Sequence, residues 1–171
     1  IEKNFLRAKE LSQKHSDSEH HCLAIWGLWV FHLVGGHADT ARRLAENLLA
    51  LAGRAQNPDL LIRAHESVGS SYFFLGRFDE AKAHQLAAKA LFDPNQNRSH
   101  ALPYTQDPGI TARIILAWVF WILGEVDQVE PLALEALAMA RELEHPFTLV
   151  FALTSLSWIY STTRDAQRTL Q

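Results

Sequence analysis

Apolar residues recur every three to four positions along most of this chain, and the recurrence breaks at regular intervals. Leu44, Leu48, Leu49 and Leu51 follow one helical face, as do Leu132, Leu134, Leu137 and Ala140. There is no Asn-Gly hairpin signal and no sustained apolar–polar alternation, so strands are not expected. The spacing predicts eight helices, over 3–15, 18–34, 38–53, 58–75, 78–92, 108–123, 126–143 and 146–162, with a stub from 165.

The breaks fall at Gly36, Gly76 and Gly124, each followed three residues later by an aspartate (Asp39, Asp79, Asp127). Glycine suits these points because a helix ends readily on a residue with positive φ, where a Cβ is penalised. The glycines lie 40 and 48 residues apart, and a further step of 40 reaches Arg164. Eight residues before these anchors stand Leu28, Val68, Leu116 and Leu156, all apolar. Four before stand His32, Tyr72, Phe120 and Tyr160. Ala41, Ala81 and Val129 lie five after the glycines, where a small side chain lets a second helix approach the first. Upstream, Asp17, Asn57 and His145 precede Ser18, Pro58 and Pro146, and Asp107 precedes Pro108. These are helix-start signals, since a side-chain acceptor caps the first turn and proline needs no N–H there. The chain therefore reads as stacked antiparallel helix pairs.

The clearest unit, Gly69–Ser70–Ser71–Tyr72–Phe73–Phe74–Leu75–Gly76–Arg77–Phe78–Asp79–Glu80–Ala81, resembles the tetratricopeptide (TPR) repeat. That resemblance implies an all-α, TPR-like α-solenoid of about four repeats in a right-handed superhelix, with helices longer than the usual repeat allows. Trp29 at a small-residue position, Arg164 at the last glycine and Pro131 early in a second helix depart from the pattern. Pro131 is expected to delay or bend its helix. Leu28-Trp29-Val30-Phe31, the stretch 93–109 and Ala140-Arg141-Glu142-Leu143-Glu144-His145-Pro146-Phe147 also resemble a region of certain bacterial multidomain regulators. Those proteins join a nucleotide-cyclase or kinase domain to an AAA/STAND-type ATPase. The likeness implies a cytoplasmic sensor or protein-docking arm with catalysis elsewhere.

Composition narrows the function. A net charge of −3 lacks the basic stripe of a nucleic-acid binder. No apolar run approaches the ~18 residues of a membrane span. Cys22 is the only cysteine, so no internal disulfide forms, which fits a reducing compartment. A chain of 171 residues can bury about 70% of its unfolded surface, so a single repeat domain over 1–171 is expected. It begins at Ile1 and reads as a piece of a larger protein.

No phosphate loop, Gly-x-Ser-x-Gly elbow or His-Glu-x-x-His motif occurs, so neither catalytic residues nor a cofactor is expected. His15, His20, His21 and Cys22 are close in sequence. On a helix, however, His20, His21 and Cys22 point in different directions, and no metal site is expected. His65 and His84 are expected at contacts between helices.

All five tryptophans fall on the first helix of a pair. The TPR resemblance places first helices on a concave inner wall. Positions ten, six and three before the anchors then face a groove: Trp26, Val30 and Leu33; Glu66, Ser70 and Phe73; Ile114, Trp118 and Trp121; Thr154, Trp158 and Ser161. The candidate binding residues are Trp26, Val30, Phe73, Trp118, Trp121 and Trp158, since aromatics dominate interface energetics. The insert 93–107 is the one long connection, and Arg98, His100 and Tyr104 could form a lid over the groove. Two readings stand: the rings line an open groove, or they are core, covered by neighbouring helices or by the insert. For the groove, the expected partner is a protein or peptide, another domain of the same polypeptide, or a second copy. A small apolar or sugar-like ligand and a purely structural arm are the alternatives.

Overall fold

The computed structural model describes residues 2–14, 18–93 and 106–162. Helices α1 (Glu2–Lys14), α2 (Ser18–Val34), α3 (Ala38–Ala55), α4 (Pro58–Phe74) and α5 (Phe78–Leu91) are followed by α6 (Pro108–Leu123), a 3₁₀ turn (Val126–Gln128), α7 (Val129–Leu143) and α8 (Pro146–Thr162). Among the described residues there is no strand, and no helix is long and apolar enough to cross a membrane. Asp17, the predicted lid residues Arg98, His100 and Tyr104, and the stub from 165 lie outside the described residues.

The breaks behave as their chemistry requires. Gly36, Gly76 and Gly124 have φ of 77°, 73° and 79°. The amide following each glycine reaches back five residues: His37 N–H to His32 O at 2.8 Å, Arg77 to Tyr72 at 2.9 Å, Glu125 to Phe120 at 2.9 Å. This is the Schellman ending, which satisfies carbonyls that the helix leaves over. At the opposite ends, Asn57 Oδ1 accepts from Asp59 N–H at 3.0 Å, and Asp107 Oδ1 accepts from Ile110 N–H at 2.9 Å. His145 Nδ1 accepts from Thr148 N–H at 3.3 Å. Pro131 does delay its helix: a 3₁₀ turn occupies 126–128, and α7 begins at Val129, leaving the proline in its first turn.

The chain divides into two compact units, Ile1–Leu91 and Phe92–Gln171. In the first, α1 packs on α2, α3 packs between α2 and α4, and α5 packs on α4. The face of α3 that does this is Ala41, Ala45, Leu48 and Ala52, all buried. Three alanines let the backbones close up, and Leu48 supplies bulk worth about 2 kcal/mol of burial. Trp29, at a position otherwise held by small residues, is buried, and its indole N–H donates to Ser71 Oγ at 2.8 Å. In the second unit α7 packs between α6 and α8. Its core joins Ile114, Leu116 and Phe120 of α6 to Leu132 and Leu137 of α7 and Leu156 of α8.

Candidate binding surface

In the second unit, the register puts Trp118 and Trp158 at the same place on neighbouring first helices, six residues before Gly124 and Arg164. The rings meet edge to face, with centroids 5.9 Å apart and planes at 67°. Phe151 also meets Trp118 edge to face, at 6.0 Å and 81°. Such T-shaped contacts suit the ring quadrupoles and add about 0.5–1.5 kcal/mol each. Trp118 and Trp121 are half-buried against the core, whereas Trp158 is 41% exposed. The wall carries almost no charge: α8 has no acidic or basic residue, and α6 has only Arg113. That guanidinium is buried and engaged, with Nε 2.7 Å from Glu135 Oε1 and Nη1 3.0 Å from Gly109 O.

In the first unit the predicted residues take a different setting. Trp26 is half-buried between two core clusters, 6.3 Å from the Trp29 ring, with the Arg63 guanidinium stacked 5.0 Å over its face. Val30 packs at the edge of the Trp29–Ala41–Ala45–Val68 cluster. Phe73 turns toward the end of its own pair, in edge contact with Phe74 at 5.3 Å and Phe78 at 5.9 Å. Trp118 and Trp158 are thus brought together, while Val30 and Phe73 are engaged with the helices of their own unit. The other register positions divide as well: Ile114, Glu66 and Ser70 are buried, and Thr154 is exposed.

Polar residues gather between α4 and α5. Ser70 Oγ donates to Glu66 Oε1 at 2.7 Å, and Gln85 Nε2 donates to Glu66 O at 3.2 Å. His65 and His84 meet through their Nδ1 atoms at 3.0 Å, as expected of contact histidines. Burial first, and for His65 its neighbour His84, holds both imidazoles below the ordinary histidine value, with Glu46 opposing this weakly at His84. No group of three or more His, Cys, Asp or Glu suited to a metal ion exists among the described residues.

The sequence reading missed a cleft of about 470 Å³ between α1 and α2, lined by Phe5, Ala8, Leu11, Ser12, His20, Leu23 and Ala24. Beside it Ser12 Oγ lies 3.1 Å from His21 Nδ1. That hydroxyl donates to Lys9 O at 2.9 Å, so it receives the imidazole N–H and is not poised as a nucleophile. The cleft depends on two separate helices, and no local motif announces it.

No family model matches the chain, and no curated protein does. Solved structures match in fold. BtubC (BKLC) from P. vanneervenii is 21% identical with a TM-score of 0.73, over 98% of this chain and 67% of that one. Rap protein complexed with Competence and Sporulation Factor is 13% identical with a TM-score of 0.71, over 99% of this chain and 55% of its own. This chain therefore spans about half the length of Rap. Both neighbours are helical-repeat proteins, and the fold here is all-α and TPR-like, built from antiparallel helix pairs.

Proposed function

We propose that this chain is a non-catalytic protein-binding module that holds uncharged segments of a partner protein through apolar, mainly aromatic, side chains on its first helices. In the second unit these are Trp118, Trp121 and Trp158; the first unit has its own set, Trp26, Val30 and Phe73. The observation that carries the reading is Trp158, 41% exposed beside Trp118 on a wall of nearly charge-free helices. An exposed indole backed by a half-buried one gives an incoming apolar side chain a rigid seat, the arrangement of interface hot spots. The absence of nearby charge favours an uncharged partner segment over an acidic or basic one, which would lose hydration without gaining an ion pair. The Rap neighbour, solved with Competence and Sporulation Factor, supports the use of such a fold for binding. The resemblance of 93–109 to bacterial multidomain regulators supports a cytoplasmic arm of a signalling protein, with chemistry elsewhere in the polypeptide.

The test is selection of peptides from a displayed library on the immobilised chain, with affinities then measured on variants. Trp158→Ala is expected to weaken selected peptides at least about tenfold, the effect of losing one hot-spot aromatic, while lowering the thermal transition by only a few degrees. Peptides that bind Trp158→Ala as well as the parent would sink the reading.

The cleft between α1 and α2 favours a second reading, in which the module senses a small apolar molecule. Its volume falls within the range of small-molecule sites, about 300–1,000 Å³. Leu23→Trp would fill the cleft and abolish such binding without touching Trp158.

A further inference from the structure

Aligned on Gly36 and Gly76, two helix pairs of the first unit fill the same seam differently. Eleven residues before the glycine and eight after it, α2 and α3 carry Ile25 and Leu44, which share an apolar cluster. At the same positions α4 and α5 carry His65 and His84. The scaffold therefore accepts an aliphatic pair at this seam, and helix packing does not require imidazoles there. The two rings meet through Nδ1 atoms 3.0 Å apart, with centroids 5.2 Å apart and planes at 37°. Both are half-buried, so the pair keeps contact with water. Burial favours the neutral form of each ring, the form in which imidazole acts as a ligand. Around the pair stand Tyr72 of α4, its ring 5.8 Å from that of His84, and Glu46 of α3. The Glu46 carboxylate accepts from the Tyr72 hydroxyl at 3.0 Å and from Arg42 at 2.7 Å.

We propose that His65 and His84 form a site for one divalent transition-metal ion of tetragonal geometry, Cu(II) being the best fit, held by the two Nδ1 atoms and completed by water. The spacing points to this geometry. With metal–nitrogen bonds of about 2.0–2.1 Å, neighbouring ligands lie about 2.8–3.0 Å apart on a square-planar or octahedral ion and about 3.3–3.4 Å apart on a tetrahedral one. The observed 3.0 Å matches the first. Imidazole suits copper and nickel, and copper binds most tightly of the divalent series. In the metal-free chain one Nδ1 carries a proton and the other accepts it. On metal entry that proton passes through water to Nε2 of its own ring, so both Nδ1 lone pairs meet the ion and the neutral pair loses no net proton. The rings turn from head-on to about a right angle, within the broad χ2 range of histidine. No third His, Cys, Asp or Glu completes a metal-binding group among the described residues, so water fills the other positions. Glu46, on the neighbouring helix, favours a positive charge at His84. An ion held in this way ties α4 to α5 and stabilises the folded pair through its own binding energy.

The test is titration of untagged residues 1–171 with Cu2+ near neutral pH, followed by electron paramagnetic resonance and thermal unfolding. One equivalent of copper is expected to bind with nitrogen couplings from two imidazoles and to raise the thermal transition. His65→Gln and His84→Gln should each weaken that binding at least about tenfold and abolish the shift, since each removes one of two protein ligands. Copper also adheres to single histidines, so His37→Gln is the control and should leave the two-imidazole signal in place. Circular dichroism without copper confirms that the variants fold, and where one does not, the other decides. A parent chain that binds no single equivalent, or a copper signal that survives both substitutions as adventitious binding at other histidines, overturns the proposal.

Discussion

The helix pairs α4–α5 and α6–α7 share one scaffold and fill it with opposite chemistry. Ten residues before the glycine anchor, α4 has Glu66 and α6 has Ile114, both buried. Six before, Ser70 answers Trp118; seven before, Gly69 answers Ala117; eleven before, His65 answers Arg113. In the first pair, Gly69 admits the Gln85 side chain, whose amide donates to Glu66 O and Ser70 Oγ at 3.2 and 3.3 Å. In the second, Ile114 and Ala117 share a core with Leu132, Ala136 and Leu137, and Arg113 is tied to Glu135. The fold therefore rests on the spacing of helix ends and on small contact residues, and either filling satisfies it. A polar filling makes the contact geometry-dependent and sensitive to protonation; an apolar one leaves Trp118 and Trp121 half-buried at the edge of the core.

The apolar side of this contrast breaks most strongly at Ile114. Replacing it with alanine leaves a cavity in a close-packed core and should cost about 2–5 kcal/mol, read as a lower urea midpoint at unchanged slope. A loss near zero would mean that α6 is held by something other than the apolar cluster. The polar side is probed by Gly69→Ala. The added Cβ would lie 2.7 Å from Gln85 Nε2, 2.8 Å from Cδ and 2.9 Å from Cγ. Gln85 is fully buried and tied to Glu66 and Ser70, so it has no free direction in which to retreat. Overpacking of this kind costs about 1–3 kcal/mol. At Ala117, in the same register, a methyl is already accommodated, and Ala117→Gly should cost about 0.5–1 kcal/mol, the ordinary penalty of glycine in a helix.

Protonation separates the pairs next. His65 and His84 share a contact in which one Nδ1 carries a proton and the other accepts it. The groups that bear on them are Tyr72 on α4, 5.8 Å from the His84 ring, and Glu46 on α3, which accepts from the Tyr72 hydroxyl at 3.0 Å and from Arg42 at 2.7 Å. Burial keeps both imidazoles below the ordinary value of 6.5 in the folded chain. Well above pH 6.5 both folded and unfolded histidines are neutral, and this stability is fully present. As pH falls through 6.5 and on through the folded values, the unfolded chain takes up protons first, and stability is lost. A double His65→Gln, His84→Gln variant should flatten the fall measured by thermal unfolding between about pH 7 and 5. An unchanged slope would place the acid sensitivity elsewhere.

The helix ends were legible because their causes are local. Glycine at positive φ, a side-chain cap one residue before a proline and a small residue five after the break each act within one turn. The delayed start of α7 was legible for the same reason, in Pro131. Burial was not, because register tells which way a side chain points but not what stands opposite. Trp29 and Trp158 lie at adjacent register positions on equivalent helices. The first is core, bonded to Ser71 forty-two residues away, and the second is exposed. Phe73 was placed on the inner wall by counting, yet its ring meets Phe78, a contact that depends on the path of the turn between them. The His65–His84 contact and the cleft between α1 and α2 likewise join separate helices, and neither has a signature in either segment alone.

A small expected effect sharpens the comparison most, because it separates surface from core among residues of one type. Trp158→Ala removes one edge-to-face contact with Trp118 and a ring already in part solvated, so the loss should be about 0.5–1.5 kcal/mol. Trp29→Ala removes a fully packed ring and leaves Ser71 Oγ without its donor, which should cost about 3–5 kcal/mol. The ratio of these two losses, measured by urea unfolding, is the quantity that matters. A large ratio means that Trp158 contributes little to holding the chain together and is available to a partner. A ratio near one means that the indole is a packing residue, and the binding surface proposed for the second unit would then have no anchor.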